Sequence, residues 1–171
     1  AGAGIFAQAA QAATPTFTST SDEAGGFSAH FGDNFISTDL NHSFSDVFSF
    51  TLPTSFDTAT SLTSNFLPTK DLNISGFYLT QIDPTTQATL ATYQGVDGTA
   101  SGSKMDLWSL SAYGLSSGTY TLTVTGTVVG TQGGSYGGDI VVAAVPEPET
   151  YAMLMAGLGL VGCVARRRKQ A

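Results

Sequence analysis

The sequence predicts an all-β body, a single antiparallel β-sandwich, followed by a C-terminal transmembrane helix. Three observations carry this reading. Between residues 14 and 145 Ser, Thr, Gly and Phe dominate, period-2 alternation recurs, and no stretch shows an apolar period of 3.6. Turn signals at Leu52-Pro53, Leu67-Pro68, Asp83-Pro84 and Val96-Asp97-Gly98 cut the body into short segments, the spacing of an antiparallel sandwich. Finally, one uncharged and mostly apolar run, residues 151–165, stands between Pro146-Glu147-Pro148 and the cations Arg166, Arg167, Arg168 and Lys169.

Residues 1–13 read as the end of a secretory signal peptide whose charged start lies upstream. Ala7-Gln8-Ala9 and Ala10-Gln11-Ala12 both give the small-x-small pattern of a cleavage site, so the mature chain is expected to begin near Ala13 or Thr14. Asp33, Asn34 and Asp39 read as part of a loop that precedes residue 44. Residues 44–52 alternate so that Phe44, Asp46, Phe48, Phe50 and Leu52 share one face of a strand. Residues 56–64 place Phe56 and Leu62 on one face with threonines between them, and residues 72–82 form a long strand expected to break near Gly76. Residues 90–93 and 105–110, the latter with Trp108, are two further strands. The clearest strand covers residues 119–128. Tyr120, Leu122, Val124 and Val128 face one way and a row of threonines faces the other, as a half-buried antiparallel strand requires. A Gly-rich turn at residues 130–134 leads into a last strand over residues 136–144, for seven or eight strands in all.

The tail makes a different kind of segment. As a helix, 15 residues extend about 22 Å at ~1.5 Å per residue, short of a ~30 Å hydrocarbon core. Snorkelling Arg and Lys stems and local thinning of the bilayer make up the difference at modest cost. The cations stay in the cytoplasm, so the body is expected on the exported side of an inner membrane. The prolines make residues 146–148 a stiff extended spacer.

Charge and composition exclude several functions. The body carries 11 acids against Lys70 and Lys104, a net charge of −9, whereas the tail holds the other four of the six cations. Nucleic acid is therefore not an expected partner, since phosphate binding needs clustered Lys and Arg. Cys163, the only cysteine, lies in the apolar run, so the body holds together by packing without a disulfide. His30 and His42 lack zinc-site spacing, no Gly-x-Ser-x-Gly elbow or Ser-His-Asp set can be placed, and the glycine-rich runs lack a phosphate-loop lysine. The body is expected to be non-enzymatic and to need no cofactor. Asp46 requires an explanation, because it shares a face with Phe44 and Phe48 and a buried carboxylate must be paired. Either it sits at the strand's rim and accepts backbone N–H bonds from a turn, or it joins Asp33, Asn34 and Asp39 as a Ca2+ ligand.

The order Pro146-Glu147-Pro148, apolar span, Arg166-Arg167-Arg168 resembles the PEP-CTERM sorting signal of Gram-negative bacteria that make extracellular polysaccharide. The resemblance implies recognition and processing by the membrane protease exosortase, temporary anchoring in the inner membrane, and release to the cell surface or extracellular matrix. Phe44-Ser45-Asp46-Val47-Phe48 resembles the motif that names the FxDxF family of PEP-CTERM proteins, in which Phe44, Asp46 and Phe48 are the signature residues. The layout Asp46-Val47-Phe48-Ser49-Phe50-Thr51-Leu52 early and Leu115-Ser116-Ser117-Gly118-Thr119-Tyr120-Thr121-Leu122 late is similar to pre-peptidase C-terminal domains, which implies a jelly-roll-like sandwich. The three segments expected are thus 1–13, 14–145 and 146–171. The role implied is a surface or matrix protein associated with exopolysaccharide or biofilm. The alternative is a carbohydrate-binding module recognising that exopolysaccharide, with Tyr78, Tyr93, Trp108 and Tyr113 as its candidate aromatics.

Overall fold

A computed structural model describes residues 16–21, 26–144 and 152–161. Ten strands are described: β1 (Thr16–Ser21), β2 (Phe27–Phe35), β3 (Ser43–Leu52), β4 (Phe56–Ser64), β5 (Leu72–Ile82), β6 (Thr89–Gln94), β7 (Val96–Asp97), β8 (Leu107–Leu115), β9 (Gly118–Val128) and β10 (Gly134–Ala144). All pairings are antiparallel. One sheet runs β1-β2-β10-β4-β8-β7 and the other β3-β9-β5-β6.

The topology follows from one nested set of pairings. The hairpin β5·β6 is the innermost, and β4 pairs with β8, β3 with β9 and β2 with β10 around it. The chain is therefore a long antiparallel ribbon folded over on itself, which is a jelly roll of two Greek keys. β1 extends one edge beside β2, and β7 extends the opposite edge beside β8.

Alternation decides which residues form the core between the sheets. On the central strand β9, Tyr120, Leu122, Val124 and Val128 are all 0% exposed, as the Thr-and-apolar pattern predicts. β3 contributes Phe44, Phe48 and Leu52, and the facing sheet contributes Phe31, Phe35, Phe56, Leu62 and Ile140. Each fully buried large apolar side chain stabilises the fold by about 1.5–3 kcal/mol. The rings interlock across the gap, Phe31 with Phe48 at 5.3 Å and Phe35 with Phe44 at 4.4 Å between centroids.

The structure departs from the sequence reading at the beginning of the body. Asp33 and Asn34, read as part of a loop, belong to β2, which follows the edge strand β1, and only residues 36–42, with a 3-10 turn at Ser37–Asp39, lie between β2 and β3. The signal for β2 was present, since Phe27, Ala29, Phe31 and Phe35 alternate, but Asp33 and Gly32 interrupt the apolar pattern. β5 does not break at Gly76; it passes through a bulge between Ile74 and Gly76 and continues. β8 starts at Leu107 and runs to Leu115, beyond the expected 105–110. Asp97, expected in a turn, pairs with Trp108 as the end of the two-residue β7.

Residues 152–161 are helical and exposed. No helix among the described residues is long and apolar enough to cross a membrane. The expected span of residues 151–165 continues past the described helix on both sides. The readings placed on residues 1–13, on Pro146, Glu147 and Pro148, and on Arg166, Arg167 and Arg168 also lie outside the described residues.

Candidate functional site: a carboxylate pair between the sheets

Three polar side chains meet inside the sandwich. Asp33 on β2 and Tyr136 on β10 are cross-strand partners in one sheet, and both point inward. Asp46 reaches them from β3 in the opposite sheet, where the tyrosine hydroxyl donates to its Oδ2 at 2.6 Å. Asp33 is 4% exposed and Asp46 8%. Asp33 Oδ1 accepts the Asn34 N–H at 2.7 Å, while its Oδ2 is buried without an N–H or hydroxyl donor. The group beside it is the Asp46 carboxyl, close enough to share a proton.

Two carboxyls in this environment resist being ionised together, because each charge has lost its water and faces the other. Burial raises the Asp33 carboxyl to about 6; the Asn34 N–H offsets part of this, and the charges of Asp46 and Asp39 add to it. Burial also raises Asp46, opposed by its bonds to Tyr136 and Asp33. Burial and then the bond to Asp46 push the Tyr136 hydroxyl far up, so it remains a donor. Below about pH 6 Asp33 therefore keeps a proton, while Tyr136 donates to Asp46. This bond ties the two sheets together.

The aromatic residues of the Phe44-x-Asp46-x-Phe48 strand complete the arrangement. Phe44 stacks on Tyr136 at 5.9 Å with the planes 9° apart, and Phe48 packs on Phe31 and Phe17. Phe44 lies opposite Gly126 of β9, where an added Cβ would stand 2.7 Å from Phe44 Cζ and 2.7 Å from Asn73 O. Only glycine leaves that space.

Several sequence expectations change here. Asp46 does not sit at the strand's rim bonded to backbone N–H groups; its partners are the Tyr136 hydroxyl and Asp33. Of the four Ca2+ candidates, only Asp33 and Asp46 come together. Asn34 follows Asp33 on the strand, so the pleat turns it to the outer surface. Asp39 accepts the Ile36 N–H at 2.8 Å and closes the 3-10 turn. No group of three His, Cys, Asp or Glu side chains that could hold a metal occurs among the described residues. The four candidate aromatics do not share a face either. Tyr93 and Trp108 pack against the core, Tyr78 lies on the outer side of β5, and Tyr113 is 76% exposed on the other sheet. Tyr136 was missed as a partner of Asp46, because pairing across sheets leaves no mark in local spacing.

The body thus belongs to the class of antiparallel jelly rolls, here held by an internal carboxylate pair. The chain carries the PEP-CTERM protein-sorting motif, whose family model matches residues 144–169. No curated protein matches the chain. Among solved structures it is similar to the enzymatically active domain of tailspike protein 4 of bacteriophage CBA120, at 12% identity and a TM-score of 0.33. That alignment covers 77% of this chain and 18% of the tailspike chain, so this chain spans less than a fifth of that structure's length.

Proposed function

We propose that the protein is exported, sorted by exosortase, and delivered as a non-enzymatic β-sandwich to the cell surface or extracellular matrix, in association with exopolysaccharide or biofilm. The observation that carries this is the PEP-CTERM motif over residues 144–169. On this reading residues 151–165 span the inner membrane, Arg166 to Lys169 remain in the cytoplasm, and the body of residues 14–145 faces the periplasm until processing. Each tail cation adds ~1 kcal/mol of attraction to an anionic leaflet. The prolines at 146 and 148 keep Glu147 out of a helix, leaving extended backbone beside the bilayer for a protease to bind. The Phe44-x-Asp46-x-Phe48 strand is consistent with the FxDxF group of such proteins, and its inward side chains give the motif a structural role.

In a host with exosortase, protein recovered from the cell surface should lack residues 166–171 by intact mass spectrometry. Replacing Pro146, Glu147 and Pro148 with alanine should leave an uncut form in the inner membrane. Surface protein that retains Arg166 to Ala171 would sink the sorting reading. A second reading, a module that binds the cell's own glycan, is favoured by a polar concavity on the outer face of the larger sheet, lined in part by His30, Asn34 and Asp139.

A further inference from the structure

The outer face of β2, β10 and β4 is built in rows. Strand register sets His30, Asp139 and Ser61 side by side in one row. The next row is Gly32, Gly137 and Thr63. The third is Asn34, Ser135 and Asn65, where Asn65 donates its N–H to Ser135 O at 2.9 Å and its Nδ2 to Ser135 Oγ at 3.2 Å. Two polar rows therefore flank a floor that β10 leaves without a side chain at Gly137. At ~3.3 Å per residue the flanking rows stand about 13 Å apart. The concavity between them has a volume of about 430 Å3.

Packing does not require glycine at position 137. A Cβ there would find His30 Cε1 at 3.5 Å and Phe31 O at 3.8 Å, ordinary contacts, at a place where threonine or valine would strengthen the strand. A glycine inside a strand weakens it and often marks the close approach of a ligand. The imidazole beside it is oriented. His30 Nδ1 pairs with Asp139 Oδ1 at 3.1 Å, and Nε2 then lies 3.7 Å from the Gly137 Cβ position, over the floor. The Asn34 side chain, on the other wall, has no partner among the described residues. A second concavity of about 400 Å3 shares Asn34 and Ser135 and continues to Lys70 and Gln132. From His30 to Ile36 the two together extend about 20 Å at ~3.3 Å per residue.

We infer that this groove binds a chain of neutral sugar residues, with Gly137 as the floor and His30, Asn34, Asn65 and Asp139 as the hydrogen-bonding walls. The inference rests on the glycan-binding reading and not on the sorting reading. Amides, hydroxyls and an imidazole offer donors and acceptors in alternation, which suits a polyhydroxylated ligand. No Lys or Arg lines the glycine-floored section, and Asp139 stands at its wall, which disfavours an anionic chain there. The length of the groove fits an oligosaccharide better than a single sugar.

The test is calorimetric titration of the full chain, in a detergent without a sugar headgroup, with hexasaccharides of glucose, mannose and galactose and with a hexauronate. At least one neutral hexasaccharide should bind. Gly137→Val, which fills the floor, and Asn34→Ala, which removes an exposed amide without touching the core, should each weaken it roughly tenfold. Tyr113→Ala, elsewhere on the same sheet, should not. Retained binding in both groove variants would overturn this site while leaving the glycan-binding reading in place. Binding of the hexauronate alone would overturn the neutral ligand class. Failure of the wild-type chain to bind any sugar would remove the glycan-binding reading and the site together.

Discussion

At the scale of single residues, the Asp33–Asp46–Tyr136 cluster gives the molecule a definite pH dependence. Burial pushes the Asp33 carboxyl up to about 6 in the folded chain, from an ordinary 3.8. Between those values the folded state holds a proton that the unfolded state has released, so stability falls as pH rises through the window. The contribution is fully present below pH ~4 and is lost above about 6. At ~1.36 kcal/mol per pH unit the loss is up to about 3 kcal/mol. The groups facing Asp33 are Asp46, Asp39 and Tyr136. Asp33→Asn supplies a permanent neutral donor in the same shape, so its urea stability should exceed that of the wild type at pH 7.5 and lose most of this advantage at pH 4. Equal differences at both pH values would refute the shared proton. A second experiment isolates the tyrosine. Tyr136→Phe keeps the ring on Phe44 but withdraws the donor from a buried carboxylate, at an expected cost of about 1–3 kcal/mol. In a double-mutant cycle with Asp46→Ala the two changes should couple by more than ~0.5 kcal/mol. Additive losses would mean that the 2.6 Å bond contributes nothing to stability.

At the scale of strands, two glycines on central strands have opposite meanings. Gly126 faces the core under the Phe44 ring, with backbone at 2.7 Å from any added Cβ, whereas Gly137 faces outward with room for one. Gly126→Ala should therefore destabilise the fold by about 1–3 kcal/mol through overpacking, and Gly137→Ala should stay within about 0.5 kcal/mol of the wild type. Thermal melts of the two single variants check this, and similar losses in both would contradict the packing described. β3 and β9 show how much of an element is legible in its own letters. In β9 threonines alternate with Tyr120, Leu122, Val124, Gly126 and Val128, and in β3 the phenylalanines keep the period through Asp46 and Val47, so local periodicity and tertiary burial agree. β2 was less legible, because Gly32 and Asp33 interrupt its pattern of Phe27, Ala29, Phe31 and Phe35, and Asp33, like Asp46 on β3, suits the core only through partners from other strands.

At the scale of the whole body, the nested pairings make folding a single event. The outermost pair, β2 with β10, joins residues about a hundred positions apart, and its inward faces have nothing to pack on until β3 and β9 are in place. Residues 14–145 are therefore expected to unfold as one unit, with equal calorimetric and van't Hoff enthalpies. Two resolved transitions would show that the sheets hold independently. The same body carries a net charge of −9, so processing that removes the four tail cations would leave a strongly anionic product, kept dispersed by its own charge.

The sequence by itself determined the all-β class, the course of most strands, the inward set on β3 and β9, and the sorting motif. These are local properties: alternation, turn chemistry, and the linear order of a Pro-Glu-Pro triplet, an apolar run and a basic cluster. Only the tertiary structure decided the partner of Asp46, the outward turn of the Asn34 side chain, the use of Asp39 in a 3-10 turn, the scattering of the four aromatics over different faces, and the glycine-floored groove. Each of these depends on which strands become neighbours. In a jelly roll the neighbours are set by nested pairing between distant segments, and spacing along the chain carries no information about it.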